Sequence, residues 1–388
     1  MSIGSEFRLN SLSSLEEIDK ATTAVHANRE KDLGVFATAL DKRRGALRDA
    51  AFLQVLLTWA RLNPQRSLNL LSNGDKTRES VLVEACGHSV GLALLSMAPF
   101  IKVLGESVQR YSALSSGAER IESAYQGDFK KLMKGRTIDL LCVSGAERQF
   151  LKPLFYAPDP SAVRDKFDLK ATIRGLSVLS HAKTADVVDD GTTSALATLT
   201  HELFENTQDH AITGLDGKKY RRHVELMLAS WLSFSDDESK ADLIGSQSLK
   251  NYWAALSARF GGERQVAGIC FSFLDSGPGM ASRLLGKEYV AMTKGEERDA
   301  LENCLRQSFS SKTKKATGGG IPEVLLEVAQ ASGFVRVRSG RHAIFKCFPP
   351  NEPIANVCEN FEDWYDDGRE LMRVAGTVIS VFIPLPRL

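Results

Sequence analysis

No stretch of this 388-residue chain is both long and apolar enough to cross a bilayer; the longest, Ser89 to Ile101, is too short and contains Pro99. The opening residues Met1 to Arg8 lack the apolar core of a signal peptide, so the expected setting is cytoplasmic, with no membrane involved. An excess of one charge is also missing. Lys and Arg number 49 against 48 Asp and Glu, and a net charge of +1 gives neither the global field of a nucleic-acid binder nor an acidic tail. The six cysteines (Cys86, Cys142, Cys270, Cys304, Cys347, Cys358) include no Cys-x-x-Cys and have mostly apolar neighbours. They read as reduced thiols, against zinc and against a disulfide framework. No internal repeat or low-complexity tract appears. What is present is ordinary for a soluble globular protein of two or three domains: 43% hydrophobic and 25% charged residues.

The informative stretch runs from Thr200 to Ala211, THELFENTQDHA. It continues a helical pattern entered through Asp190-Gly191-Thr192-Thr193, with Thr192 or Thr193 as expected N-cap. At about 100° per residue, Glu202, Asn206 and Asp209 fall within roughly 60° of one another. Leu196, Leu203 and the Thr207 methyl form the adjoining apolar stripe. A carboxylate there can orient water, and a carboxamide oxygen can ligate a hard metal. Taken alone, such a helix reads more simply as a solvated polar face.

Two glycine signals follow in order. Val266 to Leu274 is an apolar run rich in β-branched and aromatic residues, and it stops at Asp275-Ser276-Gly277-Pro278-Gly279-Met280. That pattern predicts a buried strand ending in a tight loop, where glycines admit a flat ligand and the Asp accepts from an exocyclic amine. Thr317-Gly318-Gly319-Gly320 then leads into Ile321-Pro322 and a helical pattern ended by Gly333. Glycines before a helix with Pro in its first turn free backbone N–H groups for an anion.

The three elements, in this order, resemble the GHKL superfamily of gyrase, heat-shock chaperones, histidine kinases and MutL. Residues 202–209, 275–279 and 318–320 carry the likeness. Ser310-Ser311-Lys312 is similar to a lid element of some members, and Gly376-Thr377 with the strand after it is similar to the closing strand. The resemblance covers roughly residues 170–388 and implies a two-layer α/β sandwich of the Bergerat type that binds ATP with Mg²⁺. It implies that Asn206 ligates the metal, that Glu202 is the general base or orients water, and that Asp209 supports the adenine pocket or the metal's water shell. Asp275 would accept from the adenine amine, Gly277 and Gly279 would allow close approach, Met280 would pack on the ring, and Thr377 would join Asp275 through a water. Gly318, Gly319 and Gly320 would cradle phosphates, and Lys312 would reach the γ-phosphate when a lid over 281–317 closes. The second glycine box, Gly-Gly-Gly-Ile-Pro, departs from the longer Gly-x-Gly-x-Gly form of the histidine kinases.

The rest is read as an α/β fold with residues 166–388 as the nucleotide domain, a helical insertion near 235–262, and residues 1–165 as an α/β or helix-rich module. In that module Ala46 to Leu62 and Val81 to Leu95 are predicted helices, His88 a core or cap histidine, and Ser67 to Leu71 and Arg136 to Val143 strands. A linker is expected between residues 157–161 and 186–191. Three functions remain open: a slow ATPase in which nucleotide binding and lid closure switch the N-terminal module or a homodimer, a protein histidine kinase, and a non-catalytic ATP-sensing interaction protein. His26, His88, His181 and His201 lack the context of a phosphoacceptor.

Overall fold

The structure, a computed structural model, describes residues 6–10, 12–157, 161–181, 188–233, 242, 245–263, 266–306, 320–354 and 356–386. It is a mixed α/β fold with two sheets, each flanked by helices. The first sheet is built by β1 (Glu6–Leu9), β2 (Asp32–Phe36), β3 (Ser67–Leu71), β4 (Phe100–Val103) and β5 (Glu106–Val108), in that spatial order. The first four run parallel because helices return the chain between them; the short β4–β5 turn makes the last pair antiparallel. The N-terminal part is thus α/β.

The second sheet has the order β11-β10-β9-β12-β8-β7-β6, from β6 (Thr137–Val143), β7 (Val224–Ser233), β8 (Val266–Asp275), β9 (Phe334–Gly340), β10 (His342–Cys347), β11 (Glu362–Asp363) and β12 (Val374–Pro386). Every neighbouring pair is antiparallel. Strand β6, which lies in the stretch read as the N-terminal module, belongs here and not with the first sheet. The expected linker contains a helix, Lys166–Ser180, packed on the motif helix Asp190–Asn206. Local hydrogen-bonding chemistry explains that helix: Asp165 caps it by accepting from the Asp168 N–H.

Alternation along the strands separates two cores. Met227, Phe271, Phe273, Val335 and Ile379 face the motif helix and the glycine-loop helix Gly320–Gln330. Leu226, Cys270, Phe334, Val378 and Phe382 face the other way. There they meet the central helix Ala46–Leu62 and the insert helix Gln247–Phe260, so helices cover both faces of this sheet. The Trp253 ring lies 5.5 Å from that of Phe382, which stacks 5.4 Å from Phe334. Burying each ring contributes roughly 1.5–3 kcal/mol.

The central helix has the predicted bounds, but 15 of its 17 residues are buried, so it has no solvent face. Three of its polar side chains bond the second sheet and its loops. Gln54 donates to the carbonyls of Arg338 (3.1 Å) and Ala375 (3.2 Å), Thr58 accepts from the Ala375 N–H (2.9 Å), and Arg61 donates to the Ser276 carbonyl (2.8 Å). Val81 to Leu95 is not one helix but two, Arg78–Ala85 and Ser89–Met97, bent by 111°. His88 sits at the break as the N-cap of the second, fully buried, its Nδ1 accepting from the Val90 N–H. Among the described residues, no single helix is long and apolar enough to cross a membrane.

Candidate functional site

The site begins as the last row of a core. Along one face of the second sheet, Met227, Phe273 and Ile379 form an apolar row across β7, β8 and β12. Two residues on, the chemistry changes. The row becomes Cys142, Glu225, Asp275, Thr377 and Ser339, each paired to the next across β6, β7, β8, β12 and β9. Thr377 and Ser339 share a hydroxyl hydrogen bond of 3.1 Å, and Ser339 Oγ accepts from the Met280 N–H (3.1 Å). Asp275 accepts from the Gly277 N–H at 2.8 Å.

Above this row lies a cleft of about 100 Å³. The motif helix supplies Asn206, the helix Met280–Leu285 supplies Met280 and Arg283, and the sheet supplies Glu225, Asp275 and Thr377. Leu203, Phe204, Phe273, Leu284 and Ile379 make the walls apolar. The cleft therefore brings together Asn206, Asp275, Gly279, Met280 and Thr377 from three separate segments of the chain.

The remaining expected residues lie elsewhere. Glu202 is half-buried one turn before Asn206 but does not line the cleft. Burial holds its carboxyl above the ordinary value; the negative charges of Glu205 and Glu323 add to that, while His201 and Lys166 oppose it. Glu323 stands in the first turn of the glycine-loop helix. Gly320 opens the helix, while Lys312, Gly318 and Gly319, with Ser310 and Ser311, lie outside the described residues. Gly277 does not line the cleft: a Cβ there would stand 2.7 Å from the Cβ of Ala211, so the missing side chain lets the motif segment pack on the loop. Gly376 is required more strictly, with φ +65° and a virtual Cβ 1.8 Å from the Asp275 carbonyl oxygen.

Asp209 is displaced for a different reason. The motif helix ends at Asn206 and continues as a π-helical turn, Thr207–Ala211, so the 100° phase that aligned Asp209 with Asn206 is lost. Asp209 instead lines a second, polar cleft of about 670 Å³ with Gln208, Lys219, Arg221 and His223. The N-cap also differs: Asp189, one position before the expected entry, accepts from the Thr192 N–H, and Thr192 and Thr193 are buried in the first turn. The expected lid is only partly a loop. Its described portion contains Met280–Leu285 and the helix Lys294–Arg306, whose Ala300, Leu301, Cys304 and Leu305 are buried.

Burial dominates the electrostatics of the floor. Asp275 is pushed up to about 6 by burial, against the Gly277 and Thr377 hydrogen bonds and the Arg61 charge. Glu225 is pushed up to about 8 by burial and then by Asp275, with the Gln208 hydrogen bond opposing. Glu225 escaped the sequence reading; its one signal was a glutamate in the second position of an apolar strand, and only the strand register sets it beside Asp275. His210 and Arg283, also in the cleft, carry no sequence signal of their own.

No protein-family model, curated protein or solved structure matches this chain. The site rests on its own geometry.

Proposed function

We propose that this chain binds ATP in the cleft above the Glu225–Asp275–Thr377 row and hydrolyses it slowly, with closure over the nucleotide as the switch. The observation that carries this reading is the convergence of Asn206, Asp275, Gly279, Met280 and Thr377 on one apolar-walled cleft. A flat base suits walls of Phe273, Met280 and Ile379, and a carboxylate at the floor suits an exocyclic amine. Asn206 fits the role of a single protein ligand to Mg²⁺. Magnesium keeps several waters and needs only one or two protein oxygens beside the phosphates. Such a cation neutralises triphosphate charge. Glu202, one turn away and raised by burial, would orient or deprotonate the attacking water. The architecture of the nucleotide part is read as Bergerat-type, with an added helical layer on the sheet's second face.

Gln54, Thr58 and Arg61 offer the switch a route to the N-terminal half, since they hold the loops on either side of the floor. A homodimer or protein partner acting through that half is part of the same proposal. A non-catalytic ATP sensor is favoured by one observation, the position of Glu202 outside the cleft lining. A histidine kinase draws less support: His88 is fully buried, His181 stacks on Trp231, and His26 and His201 bond backbone carbonyls.

Calorimetric titration of the full chain with ATP, with and without Mg²⁺, and phosphate release by the wild type and Glu202→Ala test the reading. Mg²⁺-dependent binding with turnover that falls by about 10²-fold in Glu202→Ala is expected. Absence of ATP binding sinks the proposal, turnover indifferent to Glu202→Ala removes the role of Glu202, and binding without turnover leaves the sensor.

A further inference from the structure

Three guanidiniums meet where the two halves of the chain adjoin, and no carboxylate answers them. Arg110 opens the short helix Arg110–Ser115, while Arg221 and Arg222 lead into β7. Arg110 Nη2 donates to the carbonyls of Ala98 (2.5 Å) and Pro99 (3.2 Å), and Arg222 Nη1 donates to the same Ala98 carbonyl (3.0 Å). Ala98 ends the helix Ser89–Met97, where a cation is well placed. The magnitudes do not balance. A helix C-terminus carries roughly half a negative charge, and three guanidiniums bring about six times that. Arg110 feels the charges of Arg222 and Arg221, and Arg222 that of Arg221, with no carboxylate among them. Burial and then this repulsion push Arg110 down to about 10, so it stays charged at neutral pH.

The unspent donors can be reached. Arg221 is exposed and makes no hydrogen bond or ion pair among the described residues. Arg110 Nη1 and Arg222 Nη2 are likewise unbonded there and open to solvent. Rings flank the cluster: Tyr111, beside Arg110, is 85% exposed, and Phe100, beside Pro99, is 55% exposed. Arg221 also lines the polar cleft of about 670 Å³ with Lys219 and Tyr220, together with Glu205, Gln208 and Asp209 of the motif segment.

We propose that this surface binds single-stranded nucleic acid, with phosphates on Arg110, Arg221 and Arg222, bases stacked on Tyr111 and Phe100, and the strand running on into the polar cleft. Guanidinium forks without a carboxylate suit phosphate oxygens. Exposed rings suit unstacked bases, and stacking on them is tolerant of sequence. A base edge carries donors and acceptors together, as does the cleft with its lysine, carboxylates and carboxamide. A bilayer is too flat to enter such a cleft, and an acidic peptide has no use for the rings. The chain's net charge of +1 conceals the patch, because the balancing carboxylates lie elsewhere. The proposal stands apart from the ATP reading and needs no nucleotide in the first cleft.

Fluorescence anisotropy of the full chain, without ATP, against a labelled oligothymidylate of about 16 nucleotides tests this. The single strand should bind at least about tenfold more tightly than the same length of duplex, whose bases are already stacked. Log affinity should fall with log salt at a slope of about −2, since each of three phosphates contributes about −0.7. Arg221→Gln should weaken binding and flatten the slope to about −1.4. Tyr111→Ala should weaken binding about fivefold or more at an unchanged slope. Both side chains are exposed, so neither variant should disturb the fold. Absence of binding, equal affinity for duplex, or full affinity in either variant overturns the proposal. Displacement of the strand by polyglutamate of equal charge overturns it in favour of an acidic protein. Binding to phosphatidylserine vesicles that the strand cannot displace overturns it in favour of a membrane.

Discussion

The motif segment separates two clefts that share a wall but not a chemistry. On one side, an apolar-walled cleft of about 100 Å³ ends in the carboxyls of Glu225 and Asp275; on the other, a polar cleft of about 670 Å³ mixes Asp209 with Lys219 and Arg221. The side chain of Gln208 reaches from the second toward Glu225 in the first. Volume alone would favour the second. Desolvation favours the first, because a charge or hydrogen bond counts for more where water is excluded and is muted where exposed side chains already compensate one another.

That contrast can be broken most directly at Asp275. Replacing it by Asn keeps the shape and removes the charge, and ATP affinity measured by calorimetry should fall about tenfold or more. An unchanged affinity in a folded variant would mean that the buried floor is not where the base sits. A smaller effect is expected at Arg61, which stacks 3.9 Å from the Tyr220 ring centroid and donates to Ser276 O. Arg61→Ala leaves that carbonyl unpaired and should cost about 1–3 kcal/mol in a urea melt. Its ATP affinity should weaken as well if the central helix braces the floor; a destabilised variant of full affinity would confine Arg61 to a structural role. Smallest of all should be Asp209→Asn in the exposed second cleft. Within about 0.5 kcal/mol it should alter neither stability nor ATP affinity, and a marked loss of affinity would move the nucleotide across the motif segment.

Local patterns foretold much of this arrangement. The strand β3 and the central helix fall where alternation and helical periodicity put them, and the ends of β8 and β12 fall beside their glycine signals. Asn206, Asp275, Met280 and Thr377 line one cleft, and the segments that bear them are locally distinctive. What escaped depended on partners far away in sequence. Nothing in Thr137 to Val143 says which sheet it joins, since either would bury the same apolar run. The π-helical turn is invisible to a count at 100° per residue, and Asp209 went astray with it. Glu225 is an ordinary residue in an ordinary strand until register sets it next to Asp275. Cys86 and Gly87, which precede the break at His88, carried no apolar mismatch to mark the bend.

The central helix also bears on how the chain is made. Its fifteen buried residues leave the ribosome well before β7, β8 and β12, the strands that cover it, have been synthesised. During that interval a helix without a solvent face has only the helices Leu15–Ala27 and Ser89–Met97 to shield it. Exposed apolar surface of that kind recruits holding chaperones or aggregates, and domain-by-domain folding behind the ribosome offers no escape when the cover is encoded last. Nascent chains stalled after residue 130 should therefore be sticky, and release of the full chain should end that state in one cooperative step.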